Sequence, residues 1–101
     1  TAFSSSDITL KKNISPIKNA LEKVNLLSGN TFEWITNEKS LNVGKDTGVI
    51  AQEVEKLGLP GLTTTREENG IKAVRYERLI PLLIEAIKEL KGEVDELKRT
   101  K

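Results

Sequence analysis

Three consecutive serines at positions 4–6 stand close to the start of the sequence, followed by Asp7 and, after Ile-Thr-Leu, by the pair Lys11-Lys12. A serine hydroxyl is a poor nucleophile until a base takes its proton. The sequence contains no histidine, so a reacting serine would need a less common base, for which lysine is the obvious candidate, as in known Ser-Lys variants of the serine protease triad. A free lysine has a pKa of about 10.4, and burial can lower the pKa of an amine by roughly 3–5 units. The ordinary alternative is a flexible serine-rich arm with a solvated lysine pair.

The composition excludes most other kinds of chemistry. Without cysteine there is no disulfide framework and no thiolate zinc site, and without histidine most transition-metal sites are excluded as well. We therefore expect no metal and no cofactor. The net charge of +1 gives no reason to expect nucleic acid or an anionic membrane as a partner. No apolar run reaches the ~18 residues that span a bilayer, and no signal peptide is visible.

The length of 101 residues predicts one small domain, and the elements that must position the serines and lysines alternate between helix and strand. Residues 1–13 read as an irregular polar arm. Ser15-Pro16 is a typical helix start, and the following apolar residues recur at helical spacing. Residues 31–35 alternate as a short strand, residues 37–46 read as a polar loop, and residues 48–58 predict a second helix that ends at Gly58.

The second half of the chain predicts a hairpin and then one long helix. Two β-rich runs flank the stretch 67–70, which ends in Asn69-Gly70, a strong hairpin signal. From about Glu77 the rest reads as a helix, with Pro81 close enough to its start to be tolerated. The predicted fold class is α+β: a small mixed domain with short strands, a hairpin and two short helices, ending in a long C-terminal helix. The predicted parts are the arm at 1–13, the body at 14–76 and the helix at 77–101.

The long helix carries a heptad pattern. Its apolar positions are separated by three and four residues in alternation, with a positions at Ile80, Ile87 and Val94 and d positions at Leu83, Leu90 and Leu97. Glu93 at g and Lys98 at the following e could pair between parallel chains. The narrow stripe is typical of a coiled coil, although a helix lying on its own domain is the alternative. Apolar Ile84 and Ala86 widen the first half of the stripe, which indicates that this half also packs on the domain. The seam by itself leaves two or three chains open.

Five stretches in this order resemble one known family: SDITLKKNISPI, ALEKV, FEW, TGVIAQEVEKLGLP and VRYERLIPLLIEAIKELK. Together they resemble the S74 peptidase family, the C-terminal intramolecular chaperone domain of bacteriophage tailspikes and tail fibres. The resemblance covers the chain from about Ser6 to Leu97, and the pair GVIAQEVEKLGLP and YERLIPLLIEAIKEL is its most specific part.

This resemblance implies a function and a site. Such domains bring three chains together, promote folding of the preceding β-stranded stalk of their own polypeptide, and release themselves by autoproteolysis in the host cytoplasm during virion assembly. The family's nucleophile is a serine followed by aspartate, with a lysine five residues later as the base. These positions correspond to Ser6, Asp7 and Lys11, and the bond cut would be Ser5–Ser6. The rival hypothesis is a trimerisation or capping module with no enzymatic activity.

The spacing of Ser6 and Lys11 imposes a constraint of its own. Five residues of extended chain span about 16 Å, and residues i and i+5 of a helix point roughly 140° apart. Neither conformation brings Lys11 within the ~3 Å that proton transfer needs. Either the arm turns sharply between the two residues, or Ser6 meets Lys11 of another subunit. Asp7 is expected to form a turn rather than act as an acid, and Asn13 is a candidate for a turn or cap.

Overall fold

The computed structural model describes residues 3–36 and 41–100. A single 3-10 turn at Ile8–Leu10 lies in the N-terminal arm. The body follows with α1 (Ala20–Asn25), β1 (Asn30–Glu33), β2 (Lys45–Gly48), α2 (Ala51–Glu55), β3 (Thr63–Thr65) and β4 (Lys72–Val74). A 3-10 turn at Tyr76–Leu79 leads into the C-terminal helix α3, Ile80–Arg99. The predicted mixture of short helices, short strands and one long terminal helix is confirmed.

The first pair of strands forms an antiparallel hairpin, of which the sequence predicts only the first strand. β1 runs antiparallel to β2, with Asn30 opposite Gly48 and Glu33 opposite Lys45, which sets opposite charges across the pair. The loop predicted at 37–46 is therefore wrong at its end, because Lys45 and the residue after it belong to β2. Its residues 37–40 lie outside the described part of the chain. β2 has the sequence KDTG, whose strand propensity is low, so its pairing with β1 defines it.

The second hairpin is confirmed where the Asn-Gly signal predicts it. β3 pairs with β4 from Thr63 opposite Val74 to Thr65 opposite Lys72. Gly70 has a φ of 71°, a left-handed conformation that glycine adopts without a steric penalty. The Asn69 side chain closes the turn by accepting a hydrogen bond of 3.0 Å from the backbone N–H of Ile71.

Helix α1 starts later than its sequence predicts. The predicted start at Ser15-Pro16 is wrong, because Asn19 adopts a left-handed conformation with φ 54° and ψ 42°, and the helix begins at Ala20. A left-handed residue cannot continue a right-handed helix. Hydrogen bonds from its backbone to a side chain of α3 stabilise the first turn of α1 instead.

Helix α2 is likewise shorter at its start than the predicted 48–58. Gly48 belongs to β2, and the N–H of Val49 donates to the Tyr76 hydroxyl at 3.0 Å instead of entering a helix. A Cβ on Gly48 would collide with the same hydroxyl, so only glycine permits this approach. The end of α2 also comes earlier than predicted, at Glu55, and Gly58, with a φ of 72°, turns the chain three residues further on.

The core lies where α1, α2 and the start of α3 meet the second hairpin. Leu82 and Val54 are its largest fully buried side chains. The small residues Ala20 and Ala86 are also buried, which allows α1 and α3 to approach closely. The buried hydrophobic residues are Ala20, Val54, Leu57, Leu62, Leu79, Leu82 and Ala86. The arm contributes nothing buried, since residues 3–16 are all exposed.

Candidate functional site

Ser6 and Lys11 contact each other within one chain. The Lys11 ammonium Nζ lies 2.8 Å from the Ser6 hydroxyl oxygen and donates a hydrogen bond to it. This separation is within the range for direct proton transfer. Of the two arrangements that the spacing left open, the single chain adopts the sharp turn. The catalytic roles of the two residues remain a prediction.

A capped 3-10 turn produces the contact. Asp7 is extended, with φ −68° and ψ 136°, and its carboxylate caps the turn at Ile8–Leu10. The backbone N–H of Leu10 donates to the Asp7 carbonyl, and that of Lys11 to the Ile8 carbonyl, both at 3.1 Å. The Thr9 N–H, followed by the Thr9 hydroxyl, holds the pKa of Asp7 below its usual range. Asp7 therefore forms a turn, as its sequence position suggests.

The neighbours of this pair make no comparable contact. Ser4, Ser5 and Lys12 are exposed, and none of their side chains forms a hydrogen bond within the described chain. Asn13 is left-handed with a φ of 55°, which fits the turn role expected for it. Of the two lysines, only Lys11 reaches a serine.

The predicted heptad residues occupy a face of α3 that the chain itself leaves uncovered. Each of the six is between 40% and 66% exposed: Ile80, Leu83, Ile87, Leu90, Val94 and Leu97. The body covers a different side of the helix, through Leu79, Leu82 and Ala86, all 8% exposed or less. Ala86 thus packs on the domain as expected, whereas Ile84 is 51% exposed and lies beside the uncovered face.

Comparison with known proteins shows which family the chain belongs to. Residues 6–64 match the model of the peptidase S74 family, described as chaperone of endosialidase. The chain belongs to this family. The resemblance noted in the sequence is thereby confirmed, and the S74 match begins at Ser6, the residue in contact with Lys11.

The S74 chain is also similar to phage tail fibre proteins. It is 36% identical over 97 residues to the long tail fiber protein Gp37 of Enterobacteria phage K3, and equally so to that of phage T2. It is 37% identical over 97 residues to Gp37 of phage M1. These alignments cover 91–92% of the chain but only 8%, 7% and 38% of the respective relatives. The chain thus spans a small part of these proteins.

One further contact, which the sequence does not reveal, links α1 to α3 of this S74 domain. The Glu89 carboxylate accepts hydrogen bonds from the backbone N–H groups of Ala20 at 2.8 Å and Leu21 at 3.0 Å. The first N–H groups of a helix have no acceptor within the helix itself, and Glu89 supplies one for these two. Both hydrogen bonds hold the pKa of Glu89 below its usual range, and the bond from Leu21 has the larger effect. No local pattern marks a cap that comes from almost seventy residues away.

The aromatic side chains of the body line a groove of their own. Phe32 and Trp34 meet edge to face with ring centroids 4.9 Å apart, in an open groove between the two hairpins that Tyr76 also lines. No residue of the arm lines this groove.

Across residues 3–36 and 41–100, no three potential metal-ligating side chains cluster. Within the same residues, no helix has the length and apolar character needed to traverse a bilayer.

Proposed function

We propose that this S74 domain is an intramolecular chaperone that assembles three copies of a phage fibre chain and then releases itself by cutting the Ser5–Ser6 bond. The observation that carries the proposal is the 2.8 Å contact between Lys11 Nζ and Ser6 Oγ, which lies at the first residue of the family match. In this proposal Ser6 is the nucleophile and Lys11 the base.

The position of the cut bond defines the chemistry. The Ser6 hydroxyl attacks the carbonyl carbon of Ser5, which is attached to the nitrogen of Ser6 itself, through a five-membered ring. A neutral Lys11 amine takes the hydroxyl proton and returns it to that nitrogen as the C–N bond breaks. Ser5 is then held as an ester on the Ser6 side chain. Water hydrolyses this ester, giving a carboxylate on Ser5 and restoring the Ser6 hydroxyl beside a free α-amine.

The exposure of the pair makes the reaction depend on assembly. Ser6 and Lys11 are both exposed in the single chain, whereas the reaction needs the lysine as a neutral amine that can accept a proton. Burial favours the neutral amine. We propose that neighbouring subunits and the preceding stalk supply this burial, so that cutting follows assembly.

Trimerisation would use the uncovered heptad face of α3. The six half-exposed apolar residues have the a/d spacing of a coiled coil, and Ile84 at e extends the apolar surface in a way that favours more than two strands. Holding three chain ends together turns a three-body encounter into an intramolecular one, at effective concentrations approaching millimolar. The partners in this proposal are two further copies of the chain and the β-stalk of the same polypeptide, with neither nucleic acid nor membrane involved.

We place the proposed function in virion assembly, which the similarity to phage tail fibre proteins supports. The working location is the host cytoplasm while fibres are being assembled. After the cut, the released domain is absent from the mature tail.

The test uses a precursor that includes the upstream stalk. We expect N-terminal sequencing of the released fragment to begin at Ser6, and Ser6→Ala to yield a trimer of uncut chains. Lys11→Arg keeps the positive charge but cannot serve as a base, so it should abolish cutting, whereas the matched control Lys12→Arg should cut at close to the wild-type rate. Continued cutting by Ser6→Ala at the same bond would refute the assignment of the nucleophile.

The second candidate is a trimerisation or capping module with no activity. The full exposure of the arm, including the Ser6–Lys11 pair, favours it, because the single chain provides no enclosed site for the reaction. It predicts the same trimer, and it predicts an intact Ser5–Ser6 bond in the wild-type precursor after the stalk has folded.

A further inference from the structure

One oxygen of the Asp7 carboxylate accepts two hydrogen bonds from a single neighbouring residue. Its Oδ1 atom accepts a hydrogen bond of 2.8 Å from the backbone N–H of Thr9 and another of 2.7 Å from the Thr9 hydroxyl. No ion pair joins Asp7 to Lys11 anywhere in the described chain, although only four positions separate them. The hydrogen bonds of this carboxylate are thus with the turn and not with the ammonium group.

The turn that these bonds cap determines the distance between Ser6 and Lys11. One turn of 3-10 helix advances about 6 Å along its axis, whereas the same five-residue separation in extended chain covers about 16 Å. The backbone is extended on both sides, at Asp7 and at Lys11. The single turn therefore accounts for the whole reversal that returns the lysine side chain to the serine.

Nothing but local bonds holds this turn. It contains no buried residue, and an isolated helical turn is unfavourable because several dihedral angles are fixed for one hydrogen bond. Its backbone bonds are the two of 3.1 Å. The two bonds to the Asp7 carboxylate double that number and are the shorter ones, which makes the cap the main stabilising contact of the turn.

We propose that Asp7 and Thr9 are the positioning residues of the self-cleavage reaction: their side-chain cap forms the turn that presents the Lys11 amine to the Ser6 hydroxyl. The expected effect on cutting rests on the proposed function, whereas the geometry of the turn rests on the observed hydrogen bonds. Asp7 acts here as a hydrogen-bond acceptor. Its lowered pKa agrees with that role, because the hydrogen bonds from the Thr9 backbone and hydroxyl favour the carboxylate form.

The test compares four variants of the stalk-containing precursor. Asparagine caps about as well as aspartate, while alanine does not cap. We expect Asp7→Ala to cut roughly 2- to 30-fold more slowly than wild type, and Asp7→Asn to cut within about twofold of it. Thr9→Val keeps the backbone donor and loses the hydroxyl, so it should slow cutting by a smaller factor, and Thr9→Ser should restore the rate.

Two further readouts separate positioning from other roles. The pH at which the rate is half-maximal should be the same in all four variants, because positioning scales the rate without changing the ionising base. Hydrogen exchange of the Thr9 amide should be faster in Asp7→Ala than in wild type or Asp7→Asn. Size-exclusion chromatography of each uncut variant controls for loss of assembly.

The outcomes are distinct. If Asp7→Asn is as slow as Asp7→Ala, or shifts the pH profile, Asp7 acts through its charge and the proposal is wrong. Wild-type cutting by Asp7→Ala also overturns it, while leaving the Ser6 and Lys11 assignment intact. A wild-type precursor that is never cut refutes the proposed function instead, and equal Thr9 exchange in Asp7→Ala and wild type would then refute the cap as well.

Discussion

Replacing Ile87 by alanine tests the proposed trimer at the centre of its seam. Ile87 is 66% exposed in the single chain, so only about a third of its contacts are made within its own subunit. Truncating a fully buried isoleucine to alanine costs about 2–5 kcal/mol. Scaling that cost by the exposed two-thirds gives roughly 1.3–3.3 kcal/mol per chain, or about 4–10 kcal/mol for the three chains of a trimer.

This loss has a measurable effect on self-association. Each ~1.4 kcal/mol changes an association constant tenfold, so the trimer constant should fall by about 10³–10⁷. The concentration at which half of the chains are trimeric varies with the inverse square root of that constant, and it should rise roughly 30- to 3,000-fold. Sedimentation equilibrium over a concentration series from nanomolar to high micromolar measures this midpoint directly.

A matched control lies one position further along the same helix. Lys88 is exposed, lies outside the seam, and makes only a surface ion pair of 3.5 Å with Glu85, so Lys88→Ala should leave the midpoint unchanged. An unchanged midpoint in Ile87→Ala, with helix content preserved by circular dichroism, would show that the seam is not the interface. A wild-type chain that sediments as a monomer would refute the assembly, and a dimer would show that the a/d pattern sets the number of chains.

Three further perturbations test α3 and β2. The folded-state pKa of Glu89 is lowered, so the stability that its carboxylate contributes is present above the unfolded pKa of about 4.3 and is lost as the pH falls through the folded pKa. Thermal unfolding should therefore show Glu89→Gln to be less stable than wild type at pH 7, and this difference should close in acid. The exposed control Glu96→Gln should show no such difference. Gly92 lies inside α3 with open space around it, so Gly92→Ala should raise the free energy of unfolding by about 0.5–1 kcal/mol per chain. Gly48→Ala should instead lower the melting temperature, because the new methyl group meets the Tyr76 hydroxyl; melting at or above the wild-type temperature would contradict that reading.

The parts of the fold that local chemistry defines could be predicted from the sequence. Asn69-Gly70 specifies a turn by its own backbone preferences, and Gly58 turns the chain shortly after α2 for the same reason. The start of α1 could not be predicted, because the acceptor for its free N–H groups is Glu89, far away in the sequence. β2 was missed because its strand conformation depends on a partner strand more than on its residues.

The candidate site, too, could be predicted from the sequence only in part. The Ser6 and Lys11 spacing was recognisable through the family, but helix and strand geometry alone gave no contact between them. The missing step was a turn, and its sequence signal is present: an aspartate before Ile-Thr-Leu is an N-cap residue followed by a short helical stretch. The uncovered face of α3 follows from heptad spacing, whereas the side that packs on the body depends on which residues α1 presents to it.

The two occupied sides of α3 determine where this helix can vary. Up to Glu89, one side packs on the body and the heptad face is apolar, so substitution should be tolerated only on the outer strip, where Glu85 and Lys88 form their ion pair. Beyond Glu89 no buried residue remains on the helix, and only the seam positions Leu90, Val94 and Leu97 stay constrained. A saturation scan of α3 scored by trimer yield should therefore show one tolerant stripe in the first half of the helix and a broad tolerant surface in the second.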